Sequence, residues 1–401
     1  MRVLGMISGT SHDGVDAALV DFELDQDVLT ARLVHGSSTP YPDKLRAELV
    51  DAMPPRPSSA DEVCRLDTRI GQYFAEVAET VVEAGGPTDA VCSHGQTVYH
   101  WVEDDHCLGT LQLGAPAWIA EQLGVPVVAD VRSRDIAAGG HGAPLVPLLD
   151  SLLLAGLVEQ GRTAAALNLG GIANMTVVTG GDPLAYDIGP ANALIDAVVQ
   201  DRGLDPAGYD TGGRIARSGT VNPRLLAQLI ADPYYAQIPP KSTGKELFHH
   251  GYVAEQLHRF DEPVSDADLV ATLTQLTADL VVRDLRRSEV TKVIAAGGGV
   301  ENPVLMELIT AGLPGVDFGT TEEFGVPPEI KEAFAFALIG WCTLHGLPAN
   351  VSSATGSTGP RLLGSITPGR GPLTLPATVS MPRSLEVRSV EVRDPGQVRD
   401  A

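Results

Sequence analysis

Three stretches of the chain place a glycine-containing polar turn directly after a short apolar strand. Within residues 2–21, two apolar strands flank a turn, and the same order of strand, glycine turn and strand returns within residues 164–178. Residues 290–296 form a third apolar strand, which ends in three glycines at 297–299 and leads into a helix with an asparagine cap and a proline at its first position. The pattern predicts an α/β chain whose polar turns lie at strand ends, where open α/β sheets bind ligands.

Helical spacing of apolar residues occupies much of the remaining chain. It predicts helices at 41–53 and 60–84, separated by a proline-rich break, and a long amphipathic helix at 266–287. Residues 329–344 are apolar nearly all round, which predicts a buried helix. Beyond residue 367 the chain is rich in proline, arginine, serine and valine without periodicity, so we expect a terminal extension that could be mobile.

The length of the chain predicts two domains or one large one, and the restart of the strand pattern in the second half favours two. The chain has 401 residues, and 44% of them are hydrophobic, which suffices for substantial cores. A flexible glycine-rich passage at 139–142 marks the crossing between them. We therefore predict a first domain at 1–140, a second at 141–368, and an extension at 369–401. Part of the end of the second domain could pack back on the first.

Charge and cysteine content exclude several classes of function. A net charge of -23 argues against binding of a nucleic-acid backbone, so an anionic ligand must be held by backbone amides and a few placed cations. The four cysteines form no CxxC pair and are too sparse for a disulfide framework, which indicates a reducing compartment. No signal-peptide pattern or membrane-length apolar run is present. We expect a soluble cytoplasmic protein with neither a nucleic-acid nor a membrane partner.

The first turn has the chemistry both of a phosphate-binding loop and of an ordinary hairpin. Gly9 lets the backbone approach a ligand closely, and Thr10 and Ser11 add hydroxyl donors to backbone N–H groups that can form an anion-binding nest. The Asp13-Gly14 pair is equally typical of a tight hairpin turn. These residues by themselves leave both interpretations open.

Eight longer sequence motifs along the chain point to one protein family. They are Ser8-Gly9-Thr10-Ser11 with Asp13-Gly14, Ser93-His94-Gly95-Gln96-Thr97, Arg134-Asp135 through Gly142-Ala143-Pro144-Leu145-Val146-Pro147, Leu167-Asn168-Leu169-Gly170-Gly171, Asp187-Ile188-Gly189-Pro190, Pro240-Lys241-Ser242-Thr243-Gly244, Gly297-Gly298-Gly299 with Asn302, and Phe324-Gly325-Val326-Pro327-Pro328 with Glu332 and Phe336-Ala337. In this order they resemble the bacterial anhydro-N-acetylmuramic acid kinases over residues 1–368. The Walker and Rossmann spacings of other nucleotide-binding proteins are missing.

The resemblance implies a fold, an activity and cofactors. The fold is α/β, the two-domain actin-like ATPase fold of the sugar kinase, Hsp70 and actin superfamily, with an interdomain active-site cleft. The activity is an ATP-dependent kinase that hydrolytically opens the 1,6-anhydro ring of 1,6-anhydro-N-acetylmuramic acid and phosphorylates O6. The products are N-acetylmuramic acid 6-phosphate and ADP, in recycling of cell-wall peptidoglycan. ATP with Mg²⁺ as cofactors and a homodimer are implied as well.

The resemblance also implies roles for individual residues. Asp187 becomes the catalytic base, whereas the residues alone would favour capping of the helix that follows as the reason for an aspartate there. The residues implied to bind ATP are Gly9, Thr10, Ser11, His12, Asp13, Gly14, Val15, Asp16, Gly171, Gly297 and Gly298. Asp16 would orient Mg²⁺ through water, with no all-protein metal site. For each glycine, a plain turn role stays open.

Thr97, Arg132 and Glu332 are implied to bind the sugar. Arg132 could pair with the lactyl carboxylate of the substrate or form an ordinary surface ion pair. Glu332 could bind sugar hydroxyls or meet solvent at a helix end. His94 and His100 have no third ligand at suitable spacing, so we expect structural roles for them.

The sequence departs from the family pattern at three positions, and three alternative functions stay open. Ala191 stands where the family commonly has Gly, Ile188 where it often has Thr or Cys, and His12 takes a variable place. The alternatives are a kinase for levoglucosan or another anhydrosugar without the lactyl group, a non-catalytic sugar or nucleotide sensor, and a hydrolase that opens the ring without phosphorylation. Dependence of turnover on the lactyl group separates the first alternative, and ADP release separates the second.

Overall fold

The computed structural model describes residues 1–9, 11–54, 56–103, 106–239, 241, 243 and 247–388. The strands are β1 (Arg2–Ser8), β2 (Gly14–Asp25), β3 (Val28–Pro40), β4 (Ala90–Glu103), β5 (His106–Leu113), β6 (Val127–Ala129), β7 (Ala164–Leu169), β8 (Ile172–Val178), β9 (Leu184–Pro190), β10 (Lys292–Ala296), β11 (Asp317–Thr320), β12 (Ser365–Thr367) and β13 (Ser384–Arg388). The helices are α1 (Asp43–Asp51), α2 (Ala60–Gly85), α3 (Pro116–Leu123), α4 (Ser133–Ile136), α5 (Pro147–Glu159), α6 (Ala193–Asp201), α7 (Arg214–Ser218), α8 (Pro223–Ile230), α9 (His250–Arg259), α10 (Asp266–Arg287), α11 (Pro303–Ala311), α12 (Lys331–Leu344) and α13 (Ser352–Thr355). Short 3₁₀ helices occupy Thr211–Gly213, Pro233–Ala236, Gly298–Glu301, Thr321–Phe324 and Pro328–Ile330.

The chain divides into two compact units, each with its own sheet. The first unit comprises Met1–Leu152, Phe324–Asn350 and Ser357–Ala401. The second unit comprises Leu153–Glu323 and Val351–Gly356.

An eight-stranded sheet in the first unit is built around an antiparallel meander. Strands β1, β2 and β3 pair in chain order, with Arg2 opposite Asp21 and Gly14 opposite Pro40. Strand β4 lies parallel to β1, and β6 lies parallel to β4. Strand β5 returns antiparallel to β4, β12 adds antiparallel to β6, and β13 adds parallel to β3.

The five-stranded sheet of the second unit repeats this plan. Strands β7, β8 and β9 form an antiparallel meander, and β10 and β11 follow in parallel beyond β7. The spatial order β9-β8-β7-β10-β11 thus matches the order β3-β2-β1-β4-β6 in the first unit. The duplicated topology agrees with the predicted α/β fold of actin-like type.

The predicted long helices are confirmed, and their local signals explain why they form. Helix α2 begins with a capping box, in which the Ser59 hydroxyl accepts from the Glu62 N–H and the Glu62 carboxylate accepts from the Ser59 N–H. Helix α10 covers the predicted span, and its leucine face is buried in the core of the second unit. In both helices the capping residues and the apolar spacing lie within or next to the helix itself, so each helix can be predicted from its own segment of sequence.

Helix α12 is buried nearly all round, as predicted, because it packs directly on the first sheet. A Cβ on Gly5 of β1 would lie 2.0 Å from the carbonyl oxygen of Ala333. A Cβ on Gly340 would lie 2.6 Å from the Cβ of Cys92 in β4. Glycine at these two positions therefore lets the helix backbone and the sheet backbone approach each other.

The division into units differs from the predicted domain boundaries at several points and follows the predicted packing at one. Residues 141–152 belong to the first unit, because Gly142 is bonded to Arg132 and Asp135 there. Helix α12 also belongs to the first unit, in line with the predicted packing of this region on the first domain. Within the extension at 369–401, Ser384–Arg388 forms β13 on the edge of the first sheet, and residues 389–401 lie outside the described residues.

Two further predictions concern membranes and disulfides. No helix in the described part of the chain combines the length and apolarity that a membrane crossing requires. All four cysteines are free, as expected from their sparse spacing: Cys64 is exposed and Cys92, Cys107 and Cys342 are buried.

Candidate active site

The first glycine turn joins β1 to β2 in the first unit. Among the described residues, apart from its chain neighbours, a Cβ on Gly9 would have only the Ser11 hydroxyl within 4 Å, at 3.9 Å, so this backbone is open to an approaching group. The Ser11 hydroxyl donates to Asp13 Oδ1 at 2.7 Å, and His12 adopts a left-handed φ of 54°. Gly14 is different, because a Cβ there would lie 2.3 Å from the Thr39 carbonyl oxygen. The fold thus requires glycine at position 14, while position 9 has room for a ligand.

Several of the other residues predicted to bind ATP surround this turn. Val15 is buried in the core of the first unit, so its side chain has a packing role. Burial raises the pKa of Asp16, and the charge of Asp13 adds to this, whereas a hydrogen bond from Ser38 opposes it. Thr10 lies outside the described residues.

Gln96, which the sequence pattern did not single out, ties this turn to β4. Its buried side chain accepts from the Ser8 hydroxyl at 2.6 Å and donates to the Gly9 carbonyl oxygen at 3.2 Å. The same amide nitrogen lies 2.9 Å from His12 Nδ1 and donates to the Thr97 carbonyl oxygen at 3.1 Å. One signal was available in the sequence, since Gln96 is a polar residue at the end of an apolar strand run.

Arg132, a predicted sugar-binding residue, is oriented by neutral partners. Its Nε donates to His94 Nε2 at 2.8 Å, and its Nη1 donates to the Gly142 carbonyl oxygen at 2.6 Å. Burial lowers the pKa of Arg132, and the charge of Glu332 opposes this. Arg132 forms no ion pair among the residues that the structure describes, so the surface ion pair considered from the sequence is not found.

The other two predicted sugar-binding residues, Glu332 and Thr97, also lie in the first unit. Surrounding protein raises the pKa of Glu332, while Arg132 opposes the rise and Asp16 adds to it. Glu332 is nevertheless an exposed residue, although protein crowds its carboxyl group. Thr97 Oγ1 accepts from Gln112 Nε2 at 3.1 Å. The charges of Arg132 and Asp16 therefore both act on the Glu332 carboxyl within this unit.

Asp187 lies within β9 of the second unit and does not cap a helix. Its backbone N–H donates to the Lys241 carbonyl oxygen at 3.1 Å, and its Oδ2 accepts from the Thr243 N–H at 2.9 Å. The Tyr234 hydroxyl donates to its carbonyl oxygen at 2.7 Å. Helix α6 starts after this strand, with Asn192 at its cap position. The capping interpretation of Asp187 is therefore wrong.

Lys241 lies beside Asp187. The sequence analysis includes it in the Pro240-Lys241-Ser242-Thr243-Gly244 motif but predicts no role for it. Its Nζ lies 4.3 Å from the centre of the Tyr234 ring and 3.4 Å from the Ile188 carbonyl oxygen. Burial lowers the pKa of Lys241, although the charges of Asp284 and Asp187 favour its protonated form. Lys241 thus places a cationic group within electrostatic reach of the Asp187 carboxylate.

The second glycine turn and the three consecutive glycines meet around Leu169, at the end of β7. A Cβ on Gly297, where φ is 86°, would lie 2.8 Å from the Leu169 carbonyl oxygen, and one on Gly299 would lie 2.6 Å from the Leu169 Cβ. Apart from its chain neighbours, none of the residues that the structure describes lies within 4 Å of a Cβ on Gly298. The Gly171 carbonyl oxygen accepts from two N–H groups at the start of α6. Packing explains Gly297 and Gly299, whereas Gly298 presents open backbone.

Metal-binding side chains do not cluster in the part of the chain that the structure describes. No group of three or more His, Cys, Asp or Glu residues there could hold a metal ion. His94 is bonded to Arg132 and Gly95, and His100 Nδ1 lies 3.3 Å from the Thr110 hydroxyl. Neither histidine is arranged as a metal ligand.

Comparison with known proteins places this arrangement in a family. The sequence model of the anhydro-N-acetylmuramic acid kinases matches residues 1–369. The chain belongs to this family. It is therefore a kinase, and it uses ATP.

Named relatives cover nearly the whole chain. An anhydro-N-acetylmuramic acid kinase of Streptomyces coelicolor is 52% identical over 386 residues, which cover 95% of this chain and 97% of the relative. One of Rhodococcus erythropolis is 46% identical over 403 residues, which cover 97% of this chain and 100% of the relative. Among solved structures, a ROK family glucokinase from Streptomyces griseus with bound glucose and AMPPNP is 11% identical, with a TM-score of 0.35 over 84% of this chain and 98% of that one.

Each unit gathers a distinct part of the predicted site. The first unit holds residues 9 and 11–16, together with Thr97, Arg132 and Glu332. The second unit holds Asp187, Gly171, Gly297 and Gly298. Sequence reasoning did not single out Gln96, Lys241 and Tyr234, which are buried and contact these residues mostly through main-chain atoms.

Proposed function

We propose that this protein opens 1,6-anhydro-N-acetylmuramic acid and phosphorylates it with ATP. Water adds to C1 as the C1–O6 bond breaks, and O6 takes the γ-phosphoryl group, with ADP as the leaving group. The product is N-acetylmuramic acid 6-phosphate, in recycling of cell-wall peptidoglycan. The observation that carries the proposal is the match of the kinase family over residues 1–369.

Asp187 is the proposed general base, which takes a proton from the attacking water. The Thr243 N–H fixes one oxygen of this carboxylate at 2.9 Å, and the backbone of β9 fixes its place in the strand. A base held in one orientation lowers the entropy cost of the attack. A positioned general base contributes typically about 10²–10⁴-fold to the rate.

The first turn is the proposed holder of the β- and γ-phosphates. The open backbone at Gly9 and the Ser11 hydroxyl support this role. Thr10 and His12 to Asp16 complete the proposed contacts. Gly171 would serve a second phosphate turn, and Gly297 and Gly298 the adenosine.

Mg²⁺ is proposed to enter with the nucleotide. Asp16 is a half-buried carboxylate beside the first turn, and the described residues offer no complete protein cage for an ion. This fits an ion held mostly by phosphates and water, with Asp16 acting through water. Mg²⁺ bound there would neutralise negative charge on the phosphates.

The sugar is proposed to bind Thr97, Arg132 and Glu332. The Arg132 guanidinium would pair with the lactyl carboxylate, because its Nη2 has no hydrogen-bond partner among the described residues. The carboxyl of Glu332, a residue exposed to solvent, would accept hydrogen bonds from sugar hydroxyls. A homodimer and a cytoplasmic location stay predictions, which sedimentation and cell fractionation would test.

The decisive experiment measures ADP release by purified protein with Mg²⁺-ATP and 1,6-anhydro-N-acetylmuramic acid in ¹⁸O-labelled water. We expect a phosphorylated sugar that carries ¹⁸O at C1. Turnover only with anhydrosugars that lack the lactyl group would replace the proposed substrate. Nucleotide binding without any turnover would indicate a sensor instead of a kinase, and free N-acetylmuramic acid without ADP would indicate a hydrolase.

A further inference from the structure

His94 is a buried histidine of β4 whose two ring nitrogens both have assigned partners. The side chain is 4% exposed. Its Nδ1 lies 3.0 Å from the Gly95 carbonyl oxygen, and its Nε2 lies 2.8 Å from Arg132 Nε. The ring also packs against Phe336 of α12, with ring centres 4.7 Å apart.

These partners determine the protonation of the ring. A carbonyl oxygen only accepts, so Nδ1 must carry the hydrogen, and a guanidinium only donates, so Nε2 must be the acceptor. A neutral imidazole with hydrogen on Nδ1 satisfies both bonds at once. Burial and the charge of Arg132 also lower the pKa of His94, which agrees with a neutral ring.

Because the His94 ring is a neutral acceptor, it does not neutralise the positive charge of Arg132, which stays available to bind an anion. His94 and the Gly142 carbonyl oxygen hold Nε and Nη1, and Arg132 has no carboxylate partner in an ion pair among the described residues. The Gly142 loop is itself fixed, because the Gly142 N–H donates to the buried carboxylate of Asp135 at 2.9 Å. A guanidinium held by neutral groups keeps its preference for an external anion.

We propose that His94 is a positioning residue that orients Arg132 to bind the carboxylate of the sugar substrate. This inference rests on the proposed function and deepens it, because it assigns a residue to selection between sugars with and without the carboxylate. His94 itself does not touch the substrate. It acts by keeping the free edge of the guanidinium in one direction.

The test compares two substitutions of His94 on two substrates. His94→Phe keeps the ring contact with Phe336 but removes the acceptor, whereas His94→Gln keeps an amide oxygen that can accept from Arg132. The substrates are 1,6-anhydro-N-acetylmuramic acid and 1,6-anhydro-N-acetylglucosamine, which lacks the lactyl carboxylate. The measured quantities are KM and kcat for each sugar, and KM for ATP.

We expect His94→Phe to raise KM for the lactyl sugar on the order of 10- to 100-fold, as loss of a hydrogen bond to a charged group does. KM for ATP and the kinetics with the second sugar should change little, and His94→Gln should recover much of the loss. Arg132→Met should also lose the preference for the lactyl sugar over the second sugar. The double variant His94→Phe/Arg132→Met should lose no more of this preference than Arg132→Met alone.

A matched control comes from His345, a second buried histidine of the first unit. Its Nδ1 lies 2.8 Å from the Trp341 carbonyl oxygen, and its ring centre lies 4.4 Å from that of Trp341. His345→Phe should leave the preference between the two sugars unchanged, even where it lowers the melting temperature.

Two results would overturn the inference, and they differ from each other. If the parent protein prefers the lactyl sugar and Arg132→Met abolishes this preference while His94→Phe keeps it, the positioning role is wrong and the proposed function stands. If the parent protein does not phosphorylate the lactyl sugar, both the proposed function and the inference fail.

Discussion

Replacing Asp187 by asparagine removes a charge from β9 with almost no change of shape. The Thr243 N–H, 2.9 Å from Asp187 Oδ2, can still donate to the amide oxygen of asparagine. The backbone bond to Lys241 and the bond from the Tyr234 hydroxyl involve main-chain atoms of residue 187, so they persist. The variant therefore separates the chemistry of the carboxylate from its structural contacts.

The expected loss of turnover is much larger than the expected loss of stability. Removal of a positioned base lowers kcat by about 10²–10⁴-fold, which corresponds to about 2.7–5.5 kcal/mol of activation free energy. Exchange of a charged for a neutral acceptor toward one N–H lowers the free energy of unfolding by about 1 kcal/mol. A change of that size shifts the melting temperature by about 2–4 °C in a unit of this size.

The assay is ADP release with saturating ATP and anhydrosugar, together with thermal unfolding and nucleotide binding. Asp182→Asn is a matched control, because Asp182 is an exposed aspartate in the turn before the same strand. We expect Asp182→Asn to keep parental turnover and Asp187→Asn to keep nucleotide binding but lose turnover. Near-parental kcat in Asp187→Asn would refute its role as the base. A large drop in melting temperature would instead indicate a structural carboxylate.

Three further outcomes test other parts of the structure. Gly298→Ala should raise KM for ATP with little effect on melting temperature, because no described residue other than its chain neighbours lies within 4 Å of the added Cβ. Gly297→Ala should instead lower the melting temperature, because its Cβ would meet backbone at 2.8 Å. Lys331→Met should lower the free energy of unfolding in urea by about 3–5 kcal/mol, because it leaves Asp150 buried without its partner at 2.7 Å; an unchanged urea midpoint would contradict this. Glu332→Gln should flatten the pH dependence of stability. The pKa of Glu332 is raised by folding, so the parent binds its proton more tightly when folded and loses stability as pH rises above the usual glutamate range. An equal pH profile in both proteins would count against that shift.

The elements with local signals were predictable, and those that depend on distant pairing were not. The caps and leucine spacing of α10 lie within the helix itself, so its span follows from the sequence. Strand β13 has no such signal, because its five residues become a strand only by pairing with β3 near the start of the chain. The place of α12 in the first unit likewise depends on contacts with Gly5 and Cys92, which are far away in sequence.

Within the candidate site, residue types were predictable but their partners were not. The sequence places Asp187 and Arg132 in motifs, yet it offers each of them an ordinary structural role as well. For Asp187, that role required a helix to begin at its own position, and the helix begins only after Asn192. For Arg132, it required a carboxylate in contact, and the structure instead provides a histidine and a carbonyl oxygen. In both cases the structure removes the ordinary role that the sequence left open, while the catalytic role of Asp187 and the sugar-binding role of Arg132 stay predictions.

The three glycines at 297–299 illustrate the same limit at the level of the backbone. They are chemically identical in the sequence, so no pattern distinguishes a glycine needed for packing from one that a ligand approaches. The structure distinguishes them, because a Cβ on Gly297 or Gly299 would meet the end of β7, while one on Gly298 would meet no described residue within 4 Å apart from its chain neighbours. Substitution of Gly298 therefore reports on the nucleotide and substitution of Gly297 on the fold, so only the former is a test of the proposed adenosine contact.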